Sequence, residues 1–86
     1  MIKSISVKYD DRDASSKGWF ASFYDENYSE IFQETSGYPI RRDASKKAVA
    51  VAKRDAKHSR HSVSNHVRIE VYASISDALP TRSESW

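Results

Sequence analysis

Ile5, Val7 and Tyr9 alternate with Ser4, Ser6 and Lys8, the two-residue period of a half-buried strand, which predicts a first strand over residues 2–9. Residues 10–18 are polar and end in glycine, so they read as a loop. Trp19 to Tyr24 predicts a second strand, rich in the aromatic side chains that suit a pleated surface. Asp25, Glu26 and Asn27 read as a short turn, with Asn27 the residue that tolerates a left-handed backbone. Tyr28 to Thr35 is the third predicted strand, with Tyr28, Ile31 and Phe32 as its apolar content. Gly37-Tyr38-Pro39 ends it, because proline has no N–H to donate to a ladder.

The hydrophobic period then lengthens to that of a helix. Asp43 offers a carboxylate as N-cap, and a helix is expected from Ala44 to about His58. Ala48, Val51, Ala52 and Ala56 fall on one face, and their small size lets the helix lie close to a sheet. Lys46, Lys47, Lys53, Arg54 and Lys57 take the flanks and the outer face. Ser59 to Asn65 reads as a polar loop. Val67, Ile69, Val71 and Ala73 alternate with Arg68, Glu70 and Tyr72, giving a fourth strand of about seven residues. Residues 77–86 hold a proline among polar groups and read as a flexible C-terminal tail.

The expected order is β-β-β-α-β, an α+β domain over residues 1–76 in which an antiparallel sheet of about four strands packs on one helix. One helix covers one face of such a sheet. The second strand carries Trp19 and Phe23 on one face and Phe20 and Tyr24 on the other, so one aromatic pair is left for solvent, a loop or a partner.

Composition adds bounds to this picture. A chain of 86 residues holds one domain. It has no cysteine, which excludes a disulfide scaffold and thiolate metal sites. No apolar run approaches the roughly 18 residues of a membrane span, and the first residues lack the apolar stretch of a signal peptide. A cytoplasmic protein with no membrane partner is the expectation.

Charge alters the picture more. Residues 1–40 hold four basic and seven acidic groups, residues 41–68 nine basic and two acidic, and residues 69–86 one basic and three acidic. Positive charge gathered in the middle third favours an anionic partner. Arg41, Arg42, Lys46 and Lys47 bracket the helix start, where free N–H groups already favour a phosphate. Lysines there oppose the helix dipole, so helix stability does not account for them. Lys53, Arg54, Lys57 and Arg60 extend the same basic segment, though cations near a helix C-terminus also suit the dipole.

Other chemistry is sparse. Phe20, Tyr24 and Tyr72 could stack unpaired bases, but the acidic Asp25, Glu26, Glu30 and Glu34 near the second and third strands argue against it. With Trp19, the same aromatics would serve a protein interface or a homodimer. His58, His61 and His66 match no standard metal spacing. Asp10, Asp11 and Asp13 lack the glycine and closing glutamate of a calcium loop. No nucleophile elbow, zinc-protease motif or phosphate-cradling glycine loop is present, so no catalytic residue, metal or cofactor is expected and the protein reads as a non-enzyme.

The run Ser45-Lys46-Lys47-Ala48-Val49-Ala50-Val51-Ala52 resembles the opening of the last helix in double-stranded RNA-binding domains. That resemblance implies phosphate contacts for Lys46 and Lys47. Residues 18–57 look like the arm-type DNA-binding domains of tyrosine integrases, in which a three-stranded sheet precedes a helix. In size and composition the chain is similar to small phage and mobile-element accessory proteins, some of which block host nucleases or defence complexes. The expectation is a nucleic-acid-binding module. The alternative is a protein-interaction module or inhibitor.

Overall fold

The computed structural model describes residues 1–12, 18–35 and 40–86. The alternation of the first segment produces strand β1 (Ile2–Asp10), whose Ile5, Val7 and Tyr9 are buried. The ladder shifts between Ile2 and Ser4, which resets the alternation and lets Ile2 face the core as well. Strand β2 (Gly18–Tyr24) pairs antiparallel with β1, setting Phe23 opposite Ile5, Ala21 opposite Val7 and Trp19 opposite Tyr9. Strand β3 (Glu30–Thr35) pairs antiparallel with β2. Helix α1 (Ser45–His58) crosses the sheet, and strands β4 (Val63–Tyr72) and β5 (Arg82–Ser85) complete it in the order β3-β2-β1-β4-β5.

The core lies between α1 and one sheet face. Rows such as Phe23–Ile5–Ile69 and Ala21–Val7–Val71 run across three strands and meet Ala48, Val49, Val51, Ala52 and Ala56 of the helix. Ala56 is 0% exposed, so the helix approaches where its side chain is only a methyl group. Phe23 stacks on Phe32 with ring centres 4.3 Å apart, and Tyr9 meets Trp19 edge to face at 5.4 Å.

Among the described residues, the α+β class and its single packed helix agree with the expectation, but the sheet is mixed and has five strands. β1 and β3 are both antiparallel to β2, so they run the same way. The helix carries the chain back across the sheet, and β4 therefore enters beside β1 in parallel. A long crossover permits what a hairpin cannot.

Within residues 77–86, expected to form a flexible tail, Arg82–Ser85 are instead an edge strand, β5. β5 pairs antiparallel with β4, and Trp86 exchanges two backbone hydrogen bonds with Val67 at 2.9 and 3.0 Å. Its pattern alternates long polar side chains with serine, so it carries no apolar signal. The open edge of β4 and the partly buried Trp86 ring supply the reason for it to dock.

Element boundaries also differ. The helix begins one residue later than expected, with Ala44 at the N-cap position and no side-chain capping bond. Asp43 sits too early to cap and pairs with Arg41 at 3.3 Å instead. Strand β3 starts at Glu30 rather than Tyr28, because Tyr28, not Asn27, takes the left-handed conformation (φ 58°). The Asp25 carboxylate holds that turn by accepting the N–H groups of Asn27 (2.8 Å) and Ser29 (3.0 Å). Strand β4 begins at Val63, within the expected loop, since Ile2 draws it into the ladder through a 2.7 Å bond to the Ser62 carbonyl. Gly37-Tyr38-Pro39, the expected end of the third strand, lies outside the described residues. Among the described residues no helix is long and apolar enough to cross a membrane.

Candidate nucleic-acid interface

The same 3.6-residue period that buries Ala48, Val51, Ala52 and Ala56 turns Lys46, Lys47, Ala50, Arg54 and Lys57 to solvent on the opposite arc. Asp55 is the only carboxylate on the helix, and it is half-buried at 3.5 Å from Arg54. The first turn carries no acidic residue, and the N-cap is a bare Ala44. That turn receives no hydrogen bond from the N-cap side chain, and it lies next to exposed Arg41, Lys46 and Lys47. Arg60 is exposed just beyond the helix, and neither it nor Lys46 makes an ion pair among the described residues.

The other basic residues are partly used inside the fold. Arg42 donates to Asp11 at 2.9 Å and lies 5.0 Å from the Tyr9 ring centre, tying the end of β1 to the start of the helix. Beside it a concavity of about 350 Å³ is lined by Trp19, Arg42, Ser45, Thr81 and Arg82, with Arg82 donating to Ser45 Oγ at 3.2 Å. Lys53 pairs with Glu84 of β5 at 3.3 Å. The ammonium groups of Lys53 and Lys57 lie 5.9 and 5.6 Å from the Trp86 ring centre. Burial pushes the Glu84 carboxyl up, but hydrogen bonds from Arg82 and Lys53 outweigh that and hold it below its ordinary range.

The aromatic residues divide between the two faces. Trp19 does not belong to an exposed surface: it is 3% exposed, and its Nε1–H donates to the Arg41 carbonyl at 3.0 Å. The helix lies on its side of the sheet, so the protein-interface alternative keeps only Phe20, Tyr24 and Tyr72. Those three are half-buried on the face without a helix. Tyr72 donates its hydroxyl to Glu70 at 3.2 Å, Arg68 Nε donates to the same carboxylate at 3.1 Å, and the Lys8 ammonium stands 4.7 Å from the Tyr72 ring centre. Burial raises the Tyr72 phenol, helped by the Glu70 charge and hydrogen bond and by Tyr24.

Sequence reading missed Tyr28, Lys8, Arg68 and Glu70 as members of this surface. The alternation of β4 places Arg68, Glu70 and Tyr72 on one face. Only the parallel register with β1 brings Lys8 beside Tyr72. His61 stacks on Phe32 at 5.5 Å. Among the described residues no group of three His, Cys, Asp or Glu side chains is placed to hold a metal ion. Asp10 is bound by Arg12 and Asp11 by Arg42 and Ser74, while Asp13 lies outside the described residues. The chain matches no protein-family model, no curated protein and no solved structure.

Proposed function

We propose that the protein is a nucleic-acid-binding module that grips the phosphate backbone with the outer arc of α1. The observation that carries this reading is the exposed stripe of Lys46, Lys47, Arg54 and Lys57, which starts at a helix N-terminus without an acidic residue or a side-chain cap. The stripe spans about 16 Å at the ordinary helical rise, long enough to meet several phosphates of one strand. It carries flexible cations and lacks the amide side chains that read base edges, so the contact holds the backbone and reads little sequence.

Such binding is salt-dependent through counterion release. With about four phosphate contacts, affinity falls on the order of a hundredfold between about 50 and 200 mM salt. Fluorescence-anisotropy titrations of labelled duplex DNA and RNA over that range measure it directly. The variant Lys46→Glu/Lys47→Glu should lower the slope of log K against log salt by about two and leave the far-UV spectrum unchanged. Full binding by this variant would move the site off the helix, and no binding by the parent at low salt would end the reading.

A further inference from the structure

The sheet face without a helix is not a featureless surface. The registers place Tyr24 and Arg68 on either side of Ser4, Ser22 and Glu70 on either side of Ser6, and Phe20 and Tyr72 on either side of Lys8. Small hydroxyl side chains thus form a floor between large rings. The result is a concavity of about 210 Å³ lined by Ser4, Ser6, Tyr24, Tyr28, Glu70 and Tyr72. Tyr28 stands at its rim, 81% exposed, held there by the turn that Asp25 closes.

Of the acidic residues that count against this face in the sequence, Glu34 lies on the other side of the sheet, and Asp25 and Glu30 already accept hydrogen bonds. Asp25 spends a carboxylate oxygen on two backbone N–H groups. Glu34 opposes Ala21 on the helix side of the sheet, near Ala48 and Asp55. Glu30 stands opposite Tyr24 in the β2–β3 ladder, and its carboxylate accepts the Gln33 amide at 2.8 Å. Glu70 alone lines the concavity, and Arg68 and Tyr72 already bind it. Lys8 already stands over the Tyr72 ring. A cationic ligand would meet a carboxylate already paired with Arg68, with the Lys8 ammonium close by. A flat, uncharged ring attached to an anion meets the exposed Tyr28 ring, serine and tyrosine hydroxyls, and the neighbouring cations Lys8 and Arg68.

We propose that this concavity takes unpaired bases of a single-stranded nucleic acid, stacked on Tyr28, Tyr24 and Tyr72, with Lys8 and Arg68 meeting the adjoining phosphates. The proposal rests on the nucleic-acid reading above but assigns single strands to a different face, and the two fail separately.

The test is an anisotropy titration with a labelled oligothymidine of about ten nucleotides, beside a labelled duplex of equal length. Tyr28→Ala, at an exposed position, should weaken oligothymidine binding on the order of tenfold and leave duplex binding unchanged. Tyr72→Phe keeps the ring and should retain binding, whereas Tyr72→Ala should lose it. Lys46→Glu/Lys47→Glu should lower duplex affinity and leave the Tyr28 effect intact. Unchanged oligothymidine affinity in Tyr28→Ala and in a folded Tyr72→Ala would overturn the proposal while leaving the helix reading standing. An arginine-rich peptide that binds the parent and not Tyr28→Ala, when oligothymidine binds neither, would also overturn it and assign the concavity to a basic protein.

Discussion

At the scale of single residues, stability concentrates where a side chain is fully enclosed. Phe23 is 0% exposed and stacked on Phe32, so Phe23→Ala should cost about 3–5 kcal/mol. That is comparable with the whole stability of a domain this size. Urea denaturation should find the variant largely unfolded. Glu84 carries a pH signature. Its folded pKa lies below the ordinary glutamate value, so the stability it lends is fully present above that ordinary value and fades as pH falls through the lowered folded one. Acid titration followed by circular dichroism should show Glu84→Gln losing less stability than the parent over that window.

At the scale of elements, β5 and α1 depend on one another. β5 is four residues long, and its side chains toward the helix are Arg82 and Glu84, followed by Trp86 against Lys53 and Lys57. Trp86→Ala should therefore cost about 1–2 kcal/mol through lost apolar burial. Hydrogen exchange should report it locally, with the amides of Val67 and Trp86 quickening and those of Ile5 and Val7 staying protected. Ala56→Leu acts on the other side of the helix. It forces an isobutyl group into a site with no exposure and should cost about 1–3 kcal/mol by thermal melting. The helix itself was legible from its Ala and Val spacing. Its N-terminus was misread by one residue, because the turn that closes Ala44 onto the Arg41 carbonyl leaves no local signature.

At the scale of the whole molecule, the sheet separates two candidate surfaces: the basic arc of α1 on one side and the tyrosine concavity on the other. They share no partner residue, so their contributions to single-strand binding should add. The combined variant Lys46→Glu/Lys47→Glu/Tyr28→Ala should lose affinity for oligothymidine equal to the sum of the separate free-energy losses, within about 0.5 kcal/mol. A larger deficit in an anisotropy titration would mean that one strand bridges both faces.

Local pattern was enough to establish the α+β class, the single helix, four of the five strands and the basic outer arc, because each rests on a period of two or 3.6 residues that neighbours in the chain enforce. Tertiary structure decided the rest. The parallel placement of β4 beside β1 follows from where the crossover lands. β5 follows from the open edge of β4, and the burial of Trp19 follows from the face on which the helix lies. Lys8, Tyr28 and Tyr72 are distant in sequence and become one surface only through strand register and the turn at Asp25. Register is a long-range property, set by which rows of side chains share a core, and no local period encodes it.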